Sequence, residues 1–488
     1  MTNHFDNKTS YKLQKNNDLT DMKRKLEKLE QENQRYSTEL SEARIELGAL
    51  TSSHSWRLCA PFRKIKRSLL GSGSLKDAIF PPSSRRKDYG KLVKYCLKNS
   101  QSPFSLKPAN SLQNLSEPKN GQKTILVMDF GIPRFDKDAG SKLTYMYLTF
   151  FAKMGLRVIF VGEDFLRVEP YATSLEKNGI TLLCGPYYIT HLREWIKANG
   201  HLLDYAYLNR PDIGRKYMKF IRQYSHAKII YFGQDTHFIR LGRQAEIEHN
   251  NQLHREAWHY REIELKLYNS ADVNYVVGSY ELKYLKQLLP DKIFREIPIF
   301  IYPDNQQLKE RSLSQNRNIL FVGGFGHPPN EDGVLWFYRE VWPLIKKRIP
   351  AIEWYIAGSK PTDKVKALDS NDIHVLGFVS DEKLEFLYNT CCVDVAPLRY
   401  GAGVKGKVVE ALYNQIPLVT TDIGGEGLSK DEGAFVIANE PEEFANAVIE
   451  LYNDEVKRQN IRRHCVDFIN KYMTEHVAKA VISKDIQP

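Results

Sequence analysis

The sequence predicts an α/β protein of two Rossmann-like lobes, preceded by a coiled-coil helix and a basic linker. Three observations support this class. Short apolar runs alternate with helical stretches from residue 123 onward, the alternation comes in two successive series, and the chain before residue 123 lacks it. Such alternation is typical of parallel sheets with helices on both faces. We therefore predict a coiled coil at 1–54, a basic amphipathic segment and linker at 55–122, lobes at 123–305 and 315–470, and a tail at 471–488.

The first predicted element is a coiled coil. Apolar residues between Leu19 and Leu50 recur at alternating spacings of three and four, which is typical of a left-handed coiled coil. Asn33 occupies a core position of this pattern, where an asparagine favours a parallel two-stranded register. We therefore predict a parallel homodimer through residues 19–50. A single amphipathic helix that docks on its own protein is the alternative.

The second predicted element is a basic surface segment. Residues 56–120 carry 14 basic and 3 acidic side chains, which accounts for the whole net charge of +11. Between Trp56 and Leu70, aromatic and aliphatic residues interleave with arginines and lysines, as in helices that lie on anionic membranes. Nucleic acid attracts the same charge, and a solvated basic linker also fits. We predict an anionic membrane surface as the partner and no nucleic acid.

Other sequence signals indicate a cytoplasmic protein. The stretch MTNHFDNKTSYKLQKNND has no apolar run suited to a secretory signal, and no uncharged apolar run reaches the roughly 18 residues of a membrane span. The six cysteines form neither CxxC pairs nor clusters with histidine, so no disulfide framework or zinc site is indicated. We expect a protein that binds peripherally to the inner face of the cell membrane.

The strongest candidate site in the second series is RYGAGVKGKVVEAL, which follows the apolar run VDVAPL and opens a helix. Helix amino termini attract anions, and here Gly401 and Gly403 allow close approach while Lys405 and Lys407 add charge. A Walker motif would need Ser or Thr where Val408 stands, which argues against a P-loop ATPase. The pattern predicts diphosphate binding without a metal.

Two further loops of the second series are candidate binding loops. Glu410, one turn into the same helix, suits the paired hydroxyls of a ribose; an ordinary solvated glutamate is the alternative. PLVTTDIGGEGL places Glu426 after a strand, and FVGGFGHPPNEDGVLWF places Gly323 and Gly324 after another. Asn330 is predicted to cap the helix that follows.

The first series has two candidate loops. FGIPRFDKDAGS follows the first strand, and its candidate substrate-binding residues are Asp138, Gly140 and Ser141. YFGQDTHFIRLGRQ follows a later strand and brings Asp235, His237, Arg240 and Arg243 together at helical spacing. We expect His237 to have a catalytic or sugar-binding role, with a purely structural histidine as the alternative.

These loops, above all GAGVKGKVVEAL and PLVTTDIGGEGL, resemble the GT-B fold glycosyltransferases of family 4, which build bacterial surface polysaccharides. The similarity covers about residues 123–470, and the heptad followed by SHSWRLCAPFR resembles an amino-terminal extension of some such enzymes. The resemblance implies a nucleotide-sugar donor held mainly by the second lobe. It also implies a glycan or polyprenyl-linked acceptor held by the first lobe, and retaining sugar transfer without metal or other cofactor.

The resemblance also implies roles for individual residues. Lys407 and the amides near Gly403 would hold the donor diphosphate, and Glu410 would hold the ribose. Glu426 would lie near the ribose or the phosphate. Phe378 and Val379 would line the base. His237 would lie beside the transferred sugar, and we expect it to act in catalysis with Asp235 and Lys407.

Two departures from the family pattern leave alternatives open. Ala402 stands where the first of two paired glutamates is expected, and Gly324 and Phe325 stand where an arginine is often found. Lys405 or Arg399 could compensate for that arginine. A catalytically silent GT-B scaffold that recruits a polysaccharide assembly complex to the membrane is therefore a second hypothesis. A GT-B sugar epimerase is a third.

Overall fold

The computed structural model describes residues 115–118, 121–309, 318–430 and 432–488. The predicted coiled coil lies outside these residues, and so does the predicted basic segment and linker at 55–122, except for 115–118 and 121–122. The described chain contains two parallel sheets with helices packed against them, which confirms the predicted fold class. None of its helices is both long and apolar enough to span a membrane.

The first lobe is built on a seven-stranded parallel sheet with the order β3–β2–β1–β4–β5–β6–β7. Its strands are β1 (Thr124–Asp129), β2 (Arg157–Gly162), β3 (Thr181–Leu182), β4 (Tyr205–Asn209), β5 (Lys228–Phe232), β6 (Val273–Val276) and β7 (Phe294–Glu296). The first six coincide with the apolar runs of the first series, which are TILVMDF, RVIFVGE, TLLCG, YAYLN, KIIYFGQ and VNYVVGS. The sequence analysis missed β7, because its three residues, FRE, form no apolar run.

Helices cover both faces of the first sheet. They are α1 (Ala139–Lys153), α2 (Tyr171–Lys177), α3 (Pro186–Asn199), α4 (Pro211–Tyr224), α5 (His237–Ile247), α6 (Asn251–Ser270) and α7 (Ser279–Leu288). Alternate residues of β1 belong to different cores: Val127 packs in one with Tyr147 of α1, and Met128 packs in the other with Ile213 of α4. This two-sided burial explains why the strands are apolar throughout.

The second lobe repeats this plan with six parallel strands in the order β10–β9–β8–β11–β12–β13. The strands are β8 (Ile319–Val322), β9 (Trp354–Ala357), β10 (Ile373–Gly377), β11 (Val393–Ala396), β12 (Leu418–Thr420) and β13 (Val436–Ile437). The helices are α8 (Pro328–Trp336), α9 (Trp342–Arg348), α10 (Asp363–Lys366), α11 (Asp381–Thr390), α12 (Gly406–Tyr413), α13 (Pro441–Asn453), α14 (Glu455–Tyr472) and α15 (Glu475–Ile482).

The last segment of the chain returns to the first lobe. The stretch predicted as a tail, 471–488, contains α15, and Thr474 just before it forms a β-bridge with Tyr302. Asp485 is buried and accepts a hydrogen bond of 2.9 Å from Nε of Arg295, a residue of β7. The chain therefore connects the two lobes a second time at its carboxyl end.

Candidate functional site

Two helix amino termini meet where the lobes face each other. Helix α1 of the first lobe begins at Ala139, and α12 of the second lobe begins at Gly406. A Cβ atom on Gly406 would lie 2.7 Å from Ala139 Cβ, so only glycine permits this approach. The helix dipoles place partial positive charge at both ends. The cleft between the lobes is therefore flanked by the positive ends of two helix dipoles, which favour an anion.

The glycine turn before α12 folds one of its two lysines inward. Gly401 and Gly403 have φ angles of 152° and 65°, a backbone region that favours glycine. Lys405 is buried; its Nζ donates a hydrogen bond to the Gly403 carbonyl and lies 3.6 Å from Glu426 Oε2. Burial lowers the pKa of Lys405 to about 8. The ammonium group of Lys405 therefore forms its contacts with the turn itself and with Glu426.

Lys407 is the cation that the turn directs toward the glycine loop after β8. Its Nζ donates a hydrogen bond to the Asn330 side-chain oxygen and lies 4.7 Å from the centre of the Phe321 ring. A Cβ atom on Gly323 would lie 2.6 Å from this Nζ, so the glycine makes room for it. Desolvation lowers the pKa of Lys407 to about 7, although Asp394 favours the charged form.

The prediction that Asn330 caps α8 is wrong. His327 occupies the cap position, without a side-chain cap hydrogen bond, and Asn330 lies in the first turn of the helix. The Asn330 amide donates to the Gly324 carbonyl at 2.6 Å while its oxygen accepts from Lys407. Asn330 thus connects the glycine loop after β8 to the lysine of α12.

The cleft around His327 is electropositive. Solvent reaches its side chain, yet desolvation by the cleft walls, followed by the charges of Lys407 and Arg240, lowers the pKa of His327 to about 4. These cations come from opposite lobes, because Arg240 belongs to α5 and Lys407 to α12. Cations of both lobes therefore act on His327, and the Asp235 carboxylate offsets part of their effect.

Both candidate carboxylates of the second lobe bond to cations of the first. Lys142 Nζ of α1 lies 2.5 Å from Glu410 Oε1. Arg243 of α5 donates to both oxygens of Glu426, at 2.7 and 2.8 Å, and to the Gly401 carbonyl at 2.6 Å. These acids therefore join the two lobes.

His237 begins α5 and lies between two carboxylates. Its Nδ1 is 3.1 Å from Asp235 Oδ1 and 3.3 Å from Glu264 Oε1. Burial disfavours the imidazolium, but Asp235 and Glu264 outweigh this effect, so the pKa of His237 is raised. Asp235 also accepts from Arg240 Nε at 2.8 Å. Burial works against the Asp235 carboxylate too, yet His237 and Arg240 lower its pKa to about 2.

The loop after β1 reaches the second lobe through a lysine. Lys137 Nζ lies 3.6 Å from the centre of the Phe378 ring, and that ring is 50% exposed. Val379, the other predicted base contact, packs against the apolar core. Of the two residues, Phe378 is the one with an exposed aromatic ring, and Lys137 lies over that ring.

The remaining predicted residues of the first lobe organise the start of α1. Asp138 caps the helix by accepting 2.8 Å hydrogen bonds from both the backbone N and the Oγ of Ser141. A Cβ atom on Gly140 would lie 3.1 Å from Gln234 Oε1, so a small residue lets the loops after β1 and β5 approach. Arg399 Nε donates a hydrogen bond of 2.9 Å to Asp332 Oδ2, and both residues belong to the second lobe.

Sequence reasoning missed several residues of this region. Glu264 lies in the middle of α6, Glu281 lies in α7, and Lys142 lies one turn into α1. A glutamate or lysine inside a helix is ordinary, so no local signal marks these three. Lys142 and Glu410 are 268 positions apart, and only the fold reveals that they are neighbours.

Comparison with known proteins identifies the architecture. The structure superimposes on sucrose-phosphate synthase from Thermosynechococcus elongatus with a TM-score of 0.55 at 15% sequence identity, covering 74% of this chain and 97% of that one. The fold is GT-B. HepE from Anabaena in complex with UDP-glucose gives the same TM-score at 16% identity, with 74% and 98% of the two chains covered. The pneumococcal O-GlcNAc transferase GtfA also has this GT-B fold, with a TM-score of 0.54 at 11% identity and the same coverage.

Sequence comparison finds a family match within the second GT-B lobe. Residues 316–454 match the family model described as Glycosyl transferases group 1, so this lobe carries a glycosyltransferase domain. A Klebsiella pneumoniae relative, "Uncharacterized 44.6 kDa protein in cps region", is 28% identical over 247 residues. That match covers 48% of this chain and 63% of the relative.

Proposed function

We propose that the protein is a glycosyltransferase that moves a sugar from a nucleotide-sugar donor to a glycan or polyprenyl-linked acceptor. The observation that carries the proposal is Lys407, whose ammonium group lies at the amino terminus of α12 beside the glycine loop after β8. The match of residues 316–454 to a glycosyltransferase family supports the same reaction.

The donor diphosphate is proposed to bind between the two helix amino termini. The backbone amides of Gly403 to Gly406 and the Lys407 ammonium would stabilise the negative charge that develops on the leaving diphosphate. Phe378 offers an exposed aromatic face to the base. Glu410 would accept hydrogen bonds from the ribose, and this requires its contact with Lys142 to open or to be shared.

Transfer is proposed to occur by front-face attack with retention of configuration and without a metal. The bond between the anomeric carbon and the phosphate oxygen breaks while a bond to the acceptor oxygen forms. The acceptor proton passes to the departing phosphate oxygen. His237 would contact the transferred sugar, with Asp235 holding its ring. NMR of the product from a single turnover tests this step, because an inverted anomer contradicts it.

Surface polysaccharide biosynthesis is the proposed setting. The name of the Klebsiella relative, which refers to a cps region, supports this assignment. We further propose that residues 19–50 form a parallel homodimer and that the basic segment within 55–122 binds the inner face of the cell membrane. Sedimentation with anionic vesicles should decrease as salt rises. Binding that is indifferent to lipid charge would contradict the membrane proposal.

Donor turnover tests the proposed function. A thermal-shift screen with UDP, GDP and dTDP sugars selects the donor, and release of its nucleoside diphosphate is then measured for the full chain. Lys407→Ala should reduce this release by at least about 100-fold, the typical loss when one group that stabilises a transition-state oxyanion is removed. Lys364→Ala is the control, because Lys364 is an exposed lysine of the same lobe.

The same assay separates the alternatives. A silent scaffold would release no nucleotide from any donor, and the absence of the first paired glutamate at Ala402 favours that alternative. An epimerase would give free sugar and nucleotide without a glycoside. Formation of a glycoside that depends on Lys407 supports the transferase and excludes both.

A further inference from the structure

Glu264 is a fully buried carboxylate with an unusual set of partners. It lies in α6 with 0% of its surface exposed. Its Oε1 accepts from the backbone N of His237 at 3.1 Å, and its Oε2 accepts from the backbone N of Phe238 at 3.0 Å. Glu264 therefore satisfies two amides at the start of α5 that the helix leaves without partners, although it is 27 positions away from His237 along the chain.

The same carboxylate also contacts the His237 ring. Within the described part of the chain, three hydrogen-bond acceptors approach His237 Nδ1 and no donor does: Glu264 Oε1 at 3.3 Å, Asp235 Oδ1 at 3.1 Å and the Asp235 carbonyl at 3.2 Å. Acceptors alone require Nδ1 to carry the proton. Tyr260 stacks on the ring with centroids 5.2 Å apart, so the ring plane is fixed as well.

We infer that Glu264 is a positioning residue, which anchors the first turn of α5 and the His237 ring so that Nδ1 stays protonated and Nε2 is the nitrogen available to a ligand. Among the residues that the structure describes, no protein partner is found for this Nε2. The catalytic part of the inference rests on the proposed function, because it assumes that Nε2 contacts the sugar. The structural part, the state of the free imidazole, does not.

The charges around His237 come from several elements. Asp235 precedes it, Arg240 lies one turn further along α5, and Glu264 and Tyr260 come from α6. Glu281 of α7 accepts from the backbone N of Thr236 at 3.0 Å. Glu264 touches the ring directly, as Asp235 does, so loss of its charge should lower the pKa of His237.

Histidine NMR of the full chain tests the inference without any substrate. The protein is labelled with ¹⁵N-histidine, the His237 signals are assigned by their loss in His237→Gln, and the pH is varied from 5 to 9. We expect neutral His237 to be protonated at Nδ1. Glu264→Gln removes the negative charge and keeps one acceptor oxygen, which can serve one of the two amides. The pKa of His237 should therefore fall by about one pH unit or more.

Glu248→Gln is the matched control, because Glu248 ends the same helix and is not in contact with His237. It should leave the pKa of His237 unchanged. An unchanged pKa in folded Glu264→Gln would overturn the inference. If Glu264→Gln does not fold, the wild-type spectrum decides: protonation at Nε2 in the neutral ring contradicts the inference, and protonation at Nδ1 supports it.

Donor turnover links the ring to the reaction. In Glu264→Gln, any pH dependence of kcat that His237 controls should move to lower pH by the same amount as the NMR pKa. A purely structural role would lower the amount of folded protein without moving the profile. If the NMR shift is seen but no variant turns over a sugar nucleotide, the proposed function fails while the positioning role stands.

Discussion

Arg243 and Glu426 join the two lobes through a bidentate ion pair. Nη1 of Arg243 lies 2.8 Å from Glu426 Oε2, and Nη2 lies 2.7 Å from Oε1. The Glu426 side chain is 8% exposed and that of Arg243 is 21% exposed. Water therefore cannot readily replace either partner. A pair of this kind is costly to break from one side, because the remaining charge stays buried.

Arg243→Ala should accordingly lower the free energy of unfolding by about 2 to 4 kcal/mol. Arg399→Ala is the matched control, because the Arg399–Asp332 pair lies within one lobe and its side chains are 39% and 21% exposed. Its loss should cost less than about 1 kcal/mol. Urea denaturation measures the free energy of unfolding of both variants. Equal losses would mean that the pair between the lobes contributes no more to stability than the Arg399–Asp332 pair.

Binding of a nucleoside diphosphate should depend on pH through Lys407. The pKa of this lysine is about 7, and a bound diphosphate would favour its charged form. Binding above pH 7 must therefore take up a proton, and affinity should fall by up to about tenfold per pH unit between pH 7.5 and 9. Calorimetry with whichever of UDP, GDP or dTDP binds best should show this slope for the wild type.

Lys407→Ala should bind the same nucleotide more weakly and remove the slope. Lys364→Ala should keep both the affinity and the slope of the wild type. A slope that survives in Lys407→Ala would assign the proton to another group.

Glu281 should make the folded protein less stable as the pH rises. Burial raises the pKa of its carboxyl to about 7, above the ordinary value of 4.5 in the unfolded chain. The folded state thus binds the extra proton, so stability is full below pH 4.5 and is lost as the pH rises through 7. Glutamine can still accept the hydrogen bonds that Thr236 donates from its N and Oγ.

Glu281→Gln should therefore be more stable than the wild type at pH 8, by about 1 to 3 kcal/mol, and nearly equal to it at pH 5. Denaturation at the two pH values measures the difference. Glu248→Gln changes an exposed carboxylate and should follow the wild type at both. A destabilised Glu281→Gln at pH 8 would mean that the carboxylate is charged and paired there.

Phe378→Ala should weaken nucleotide binding by about tenfold, because a stacked aromatic face contributes about 1 to 3 kcal/mol per base. Phe386→Ala provides the control: its ring is also about half exposed, at 54%, and also lies near a lysine, Lys383. Direct titration of the nucleotide compares the two variants. Similar affinities would mean that the base binds elsewhere.

The sequence predicted the sheets well because strands buried on both faces are apolar throughout. The parallel order then places the loops after β1, β5, β8 and β11 at the carboxyl edges, where we looked for candidates. The glycines of RYGAGVKGKVVEAL also predicted a close approach to this turn, and the approach occurs where Gly406 meets Ala139. Contacts between elements left no such trace: Lys142, which bonds across to the second lobe, and Glu264, which bonds within the first, look like ordinary helix residues.

Side-chain direction was equally inaccessible from the sequence. Lys405 and Lys407 are two positions apart in the same turn, and both suggest a phosphate ligand. The backbone geometry at Gly401 and Gly403 turns the first toward Glu426 and leaves the second beside Asn330. The choice between them depends on φ angles, which composition and spacing do not report.

The return of residues 474–486 to the first lobe limits how the cleft can open. The polypeptide passes from one lobe to the other between β7 and β8, and passes back where Thr474 meets Tyr302 and Asp485 meets Arg295. Two crossings restrain twisting and sliding far more than a single linker would. Opening should therefore be a rotation about an axis that runs through the two crossings. A substrate would then enter the cleft from the side opposite this axis.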